Sequence, residues 1–441
     1  MDRYSILLTS ALYAPIALVV ALWIWRPPSA RARAGIVFAT AWAMVALLGV
    51  NALATRVGWW TFPHPELGIF GVPIEMHIGW ALLWGAIPML AMPRAPAPAR
   101  PFAALAVAVA ALVAFDVVCM PLLDPALVLG PGWLIGEAVA VAIALVPALL
   151  LFRWTRDDTH LAARVTLLCA TFSTLMLVVL PTVILTHTGG TWRVIAERPD
   201  WLTSLAVQLL AIPAALGVSA VQEFAVRGGG TPVPFDAPKR LVTSGAYAYV
   251  ANPMQLGNSL LLVGVGGLLA SWWVAAAGAM SIVYSAGLAA WDEGGDLERR
   301  FGAPWRDYRA HVRAWIPRWR PYVPDDRHAV LYVSETCGKC QQVARWFRAR
   351  GTVALAITPA EHHPSRDLER ITYDPGDGTP EVQGIHAVAR ALEHINFAYA
   401  MVAMIARLPV LSTVIQALLD ASGAGPQRIV RCELNTVGPR G

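Results

Sequence analysis

Long uninterrupted runs of apolar residues constrain this chain more than any other feature, because a run of about 20 is what an α-helix needs to cross the hydrocarbon core of a bilayer. Nine such runs follow one another, near residues 5–25, 35–55, 70–92, 102–123, 132–152, 164–187, 201–221, 255–270 and 272–291, each bounded by Pro, Gly or charge. The last two are short and read as a tight hairpin. With 56% of 441 residues hydrophobic and 14% charged, the chain falls outside the ordinary soluble classes. The expected fold class is mainly α: a polytopic helical membrane protein of about nine spans, followed by a soluble α/β tail.

Lys and Arg near span ends are retained on the cytoplasmic side, so their distribution sets the orientation. Arg26, Arg31 and Arg33 follow the first span, Arg94 and Arg100 the third, Arg153, Arg156 and Arg164 the fifth, and Arg227, Lys239 and Arg240 the seventh. The alternate loops hold Arg56, then no basic residue, then Arg193 and Arg198. This pattern predicts a multi-pass protein of the cell (inner) membrane with its N-terminus outside and its C-terminal tail cytoplasmic. Topology and contact with membrane lipid account for the net charge of +5, and no nucleic-acid partner is expected. Five cysteines are too few and too scattered for a disulfide scaffold; only Cys337 and Cys340 are spaced for chemistry.

Three regions are expected: an N-terminal transmembrane bundle over 1–194, a second membrane region over 195–325 and a soluble domain over 326–441. In the first, Glu75, His77, Asp116 and Glu137 lie at membrane depth, where charge is expensive and often functional. Trp59-Trp60-Thr-Phe, Pro73-Ile-Glu75 and Trp80-Ala-Leu-Leu-Trp84 weakly resemble the lycopene cyclase-type membrane domains of carotenoid synthesis. The alternative is structural: Glu75 and Glu137 at span ends, wet or paired with His77, and the tryptophans forming an interfacial belt.

The second region carries Gly245-Ala-Tyr-Ala-Tyr-Val-Ala-Asn-Pro-Met-Gln-Leu-Gly257, the short hairpin, Glu293, Leu297, Phe301-Gly302, Trp305, Tyr308, and Arg313 with Pro317. In order and spacing this resembles the isoprenylcysteine carboxyl methyltransferase and phospholipid methyltransferase family, over about a fifth of the chain. The resemblance implies S-adenosylmethionine as cofactor and a lipid-soluble small molecule as methyl acceptor. It implies that Tyr247, Tyr249, Asn252, Pro253, Gly257 and Glu293 line the cofactor site. Methyl transfer is an in-line displacement that needs positioning and exclusion of water rather than a metal, and none is expected. Three positions depart from the family: Ala251 stands for Arg, Gln255 for Tyr, and Gly294 for the second Glu of a pair. The structural alternative is that Tyr247, Asn252 and Pro253 shape a helix start and Glu293 is solvated.

The tail opens with an apolar strand pattern at His328–Ser334, followed by Cys337-Gly-Lys-Cys340, a helical segment to Arg350, and strands at 352–358 and 370–373. Strand, Cys-x-x-Cys, helix, strand is the opening of a thioredoxin-like fold. With Gly384-Ile-His-Ala-Val-Ala-Arg-Ala-Leu and Leu408-Pro-Val-Leu it resembles the DCC family of thiol–disulfide oxidoreductases, whose motif begins Asp-x-x-Cys where this chain has Ser334-Glu-Thr-Cys. Cys337 and Cys340 are then the catalytic pair, and a thiol–disulfide exchange partner is implied. Two other readings stay open: a metal site completed by His362 or His363, and inert structural cysteines. Phe397–Leu419, interrupted by Arg407 and Pro409, reads as two helices against the domain or membrane rather than a further span.

The functional expectation is an integral membrane S-adenosylmethionine-dependent methyltransferase with an attached Cys-x-x-Cys redox domain. The alternatives are a membrane-anchored thiol–disulfide oxidoreductase whose methyltransferase-like region is degenerate, and an isoprenoid- or carotenoid-related membrane enzyme or carrier.

Overall fold

The computed structural model describes residues 2–64, 68–92, 103–233 and 236–430, the side chains of 104 and 288–293 excepted. It is mainly helical, with one small sheet near the C-terminus. Among the described residues seven helices are long and apolar enough to cross a membrane: Arg3–Trp25, Ala30–Val57, Ile74–Ala91, Leu105–Leu123, Trp133–Arg156, Leu161–Thr188 and Asp200–Gly228. Arg94 and Arg100 lie outside the described residues. The chain divides into two compact units, 1–183 with 230–237, and 184–229 with 238–441.

The first unit contains α1 (Arg3–Trp25), α2 (Ala30–Val57), α3 (Ile74–Ala91), α4 (Ala103–Cys119), α5 (Trp133–Ala140), α6 (Val146–Arg156) and α7 (Leu161–Thr174), which runs on into α8 (Leu180–Thr188). Asp2 caps α1 by accepting from the Ser5 N–H at 2.9 Å, and Ser29 caps α2 by accepting from Ala32. A two-stranded ribbon pairs β1 (Trp60–Thr61) with β2 (Val128–Leu129). Helix α2 is central, buried against α3 and α6 through Ala39, Ala43, Leu47, Trp84, Leu149 and Phe152. Residues 230–237 belong here because Arg164, 1% exposed, donates to Asp236 at 2.8 Å and to Asp158 at 3.0 Å.

The second unit begins in α8 and continues through the turn α9 (Arg193–Ala196), α10 (Asp200–Glu223, extended by a wider turn to Gly228), α11 (Pro253–Leu268) and α12 (Trp272–Tyr284). Helices α11 and α12 form the expected tight hairpin, closed by the Ser259–Ser281 hydroxyl pair at 2.6 Å and the Ser271 cap. Sequence reading took them as spans eight and nine. At 16 residues α11 is about 24 Å long, while α12 runs on through a wider turn (Ser285–Ala289) into the helix that follows it. The chain then passes through α13 (Ala290–Phe301) and α14 (Ala303–His311) to an extended stretch over 312–322.

The C-terminal part holds a four-stranded sheet in the order β4 (Leu355–Pro359), β3 (Ala329–Val333), β5 (Thr372–Asp374), β6 (Val382–Gln383). β3 and β4 are parallel, joined through α15 (Gly338–Arg348), while β5 runs antiparallel to both β3 and β6. β6 lacks a two-residue apolar alternation and went unseen in the sequence. α16 (Ile385–Leu392) packs on the sheet with α15 over Leu331, Ala344, Phe347, Ala387 and Ala391. Then α17 (Phe397–Ala406) and α18 (Pro409–Leu419) follow, bent by 88° at Arg407–Leu408. Residues 238–325 and 326–430 fall in the same compact unit.

Candidate functional site

Cys337 sits where β3 hands over to α15, in extended conformation at the N-cap, with its Sγ accepting the Cys340 N–H at 3.3 Å. Burial pushes the Cys337 thiol up. Hydrogen bonds from the Cys340 thiol and from the Cys340 and Lys339 N–H groups, with the Lys339 charge, outweigh it and hold the thiol below its ordinary value. Burial and the hydrogen bond to Cys337 push Cys340 up to about 12. The two thiols are therefore split into an acidic one at the helix start and a protonated one a turn inside.

Glu361, in the turn that follows β4, went unnoticed in the sequence. It accepts from Ser334 Oγ at 2.9 Å and from the Glu335 N–H at 3.0 Å, and its charge also raises Cys340. Only the parallel β3–β4 pairing brings it beside the cysteines. His363, considered as a metal ligand, has both ring nitrogens engaged: Nε2 with Glu381 at 2.9 Å, and Nδ1 with the Ser365 and Arg366 N–H groups. His362 is exposed. Among the described residues no three His, Cys, Asp or Glu side chains form a metal-holding group.

The Gly245 motif is built quite differently. Tyr247 and Tyr249 are 6% and 0% exposed. The Tyr247 carbonyl accepts from the Tyr308 hydroxyl at 2.9 Å, and the Tyr249 hydroxyl donates to the Glu393 carbonyl at 2.6 Å. Asn252 is the N-cap of α11 without a side-chain capping bond, and Pro253 occupies the first helical position. Gly257 is a packing residue, since a Cβ there would lie 2.7 Å from the Pro213 carbonyl and 2.9 Å from the Gly217 nitrogen of α10. Glu293 lies on α13, with its side chain outside the described residues. The motif is clasped by the 312–322 stretch: Ala251 N–H donates to Arg313 O, Asn252 to Ala314 O, Arg318 to Tyr249 O and Tyr322 to Ala248 O, at 2.8–3.2 Å.

Beneath this motif lies a charge cluster that sequence reading missed. Glu223, 1% exposed near the end of α10, meets Arg390 of α16 at 2.7 Å, Arg407 at 3.7 Å and its own helix neighbour Arg227 at 3.7 Å, and accepts from Ser244 Oγ at 2.5 Å. Glu393 completes it, 2.8 Å from Arg407 and 3.2 Å from Arg390, while Arg227 also pairs with Asp377. Gly245 has φ +61°, and a Cβ there would meet Glu223 at 3.1 Å, so only glycine suits both the backbone and the space. The signal in the sequence was Glu223 and Arg227 four apart at a span end; their charged partners beyond α10 are 150 or more residues away. The cavity left beside Gly245, Arg227, Tyr322, Arg390 and Glu393 is about 40 Å³, room for a water molecule.

In the first unit, Glu75 is in the first turn of α3 and His77 is buried. Trp84 Nε1 donates to Asp116 at 2.9 Å and Trp60 Nε1 to Asn51 at 2.9 Å. These two tryptophans are 3% exposed, and Glu137 is 5% exposed beside Asp116 at a cavity of about 20 Å³. The reading of Glu137 as a wet span-end group and of Trp60 and Trp84 as an interfacial belt is thereby corrected: indole N–H groups need partners once buried, and carboxyl and amide oxygens inside the bundle supply them. No protein-family model, curated protein or solved structure matches this chain, so the geometry of these sites carries the functional argument.

Proposed function

We propose that the chain is a membrane-anchored thiol–disulfide oxidoreductase in which Cys337 attacks and Cys340 resolves. The observation that carries this reading is the placement of Cys337 at the N-cap of α15 directly after β3, in a sheet whose order and strand directions are those of a thioredoxin-like fold. The Cys337 thiolate attacks one sulfur of a substrate disulfide, forming a mixed disulfide and expelling the first substrate thiolate, which takes up a proton. Cys340 then loses its proton and attacks the Cys337 sulfur, closing a Cys337–Cys340 disulfide and expelling the second substrate thiolate. Two electrons pass from the cysteine pair to the substrate; one substrate thiol takes the proton that Cys340 gives up, and the other takes one from solvent, matching the proton Cys337 had lost on ionising. Glu361, whose charge acts on Cys340, is the carboxylate to receive the Cys340 proton. Incubating the full chain with a model disulfide tests the reading: the Cys340→Ser variant accumulates a mixed disulfide and the Cys337→Ser variant does not. Accumulation in neither, with equally slow alkylation of both thiols, would mark the pair as structural.

A second reading, a methyltransferase using S-adenosylmethionine on a lipid-soluble acceptor, is favoured by the clasp of 312–322 on Ala248–Asn252, which joins the two ends of the methyltransferase-like segment around the hairpin. The fit of the cofactor is poor on the Gly245 side. Ligand pockets run to roughly 300–1,000 Å³, far above the 40 Å³ beside Gly245, and packing takes the Tyr249 hydroxyl and the face of Gly257. Tyr247, Asn252 and Glu293 would be the residues to hold it. Calorimetry with S-adenosylhomocysteine decides: no heat at millimolar ligand leaves the region an anchor. The distribution of Arg and Lys supports a cytoplasmic C-terminal domain in the cell membrane; an impermeant thiol reagent on intact cells should leave Cys337 and Cys340 unlabelled.

A further inference from the structure

The path of α17 relative to α10 fixes where the redox domain sits against lipid. Trp201, 68% exposed near the start of α10, and Glu223 are 22 residues apart, about 33 Å at 1.5 Å per residue, or one hydrocarbon thickness. Helix α17 packs on the Glu223 end of that span: Ala400 and Met404 bury against Leu216 and Ala220, Ser219 Oγ donates to the Met404 carbonyl at 3.4 Å, and Arg407 reaches Glu223. The domain is thus held at the level where the span leaves the hydrocarbon.

From that level α18 turns off by 88° with two unlike faces. One is polar and engaged: Ser412 is 4% exposed, Gln416 accepts the Ile385 N–H at 2.8 Å, and Asp420, just beyond the helix, accepts from Arg370. The other presents Val410, Val414 and Leu418, spaced four apart and 80%, 49% and 65% exposed. Such a stripe is costly in water, and it continues from a helix already packed on a membrane span. The turn after α18 closes on the thiol site, with Lys339 Nζ donating to the Ser422 carbonyl at 2.5 Å.

We propose that α18 lies in the lipid boundary with its Val410–Val414–Leu418 stripe against acyl chains, so that Cys337 faces disulfides carried at the membrane surface rather than in bulk solution. The substrate part rests on the oxidoreductase reading; the placement of α18 does not. The test uses the full chain in phosphatidylcholine–phosphatidylglycerol vesicles containing a phospholipid with a diazirine on its acyl chain. After irradiation, adducts are expected on Val410, Val414 and Leu418 as on the lipid-facing side of α10. Adducts on α10 with none on α18, or cross-links from the stripe to a second copy, overturn the placement. In the same vesicles a disulfide-bearing phospholipid and a soluble disulfide with the same leaving thiol are compared. Val414→Asp is expected to lower the lipid-to-soluble rate ratio at least tenfold while leaving the soluble rate unchanged. An unchanged ratio overturns the substrate assignment, and reaction with neither disulfide overturns the oxidoreductase reading itself.

Discussion

Two motifs of the same compact unit have met opposite fates. The Cys337–Cys340 pair stands at a helix start with the Cys337 sulfur in a field of N–H donors, whereas the Gly245 motif is packed away, its tyrosines buried and the Tyr249 hydroxyl and Tyr247 carbonyl bonded to neighbouring segments. The first motif draws its chemistry from local geometry, a strand end, a helix dipole and a spacing of three, all of which sequence alone specifies. The second depends on which distant surfaces cover it. A match in order and spacing therefore says more about chemistry when the chemistry is local.

This contrast can be broken at either motif. The largest effect is expected at Cys337: Cys337→Ser should abolish disulfide exchange while leaving any S-adenosylhomocysteine affinity unchanged, and residual exchange above a few per cent would remove the attacking role. Next comes Glu223→Ala, which leaves Arg390 and Arg407 buried with one carboxylate fewer. Breaking a buried pair in this way costs about 3–5 kcal/mol, and chemical denaturation in detergent should show the loss. Stability within 1 kcal/mol of wild type, a bound set by the median for exposed pairs, would make the cluster solvated. Tyr249→Phe should cost less, about 1–3 kcal/mol, by leaving the buried Glu393 carbonyl without its donor. A tenfold loss of S-adenosylhomocysteine binding in that variant, at unchanged stability, would instead restore Tyr249 to a cofactor site. The smallest effect is in the pH profile of alkylation. Because the folded protein lowers the Cys337 thiol, its thiolate forms at lower pH, so the rate should reach half-maximum below the free-thiol value of about 8.5. Cys340, pushed up to about 12, should stay unreactive through that range.

Much of the architecture was legible because helix-length apolar runs and a strand followed by Cys-x-x-Cys are written in consecutive residues. The bend at Arg407–Leu408 was readable from a charge and a proline breaking an apolar run. Glu223 was not, since its partners Arg390 and Arg407 lie on helices that only the folded sheet brings under α10. Glu361 escaped for the same reason, as strand pairing rather than sequence distance sets it beside Cys340.

The arrangement around Glu223 bears on how such a protein is made. α10 leaves the ribosome more than 160 residues before Arg390 and Arg407 exist, so of its three cations this carboxylate has only Arg227 during that interval. Completion of the C-terminal domain supplies the other two, together with the Glu393 carbonyl that the Tyr249 hydroxyl bonds. Chains cut short before Arg390 should be the ones that membrane proteases remove, a difference that pulse-chase labelling of truncated and full-length forms would measure as a shorter half-life.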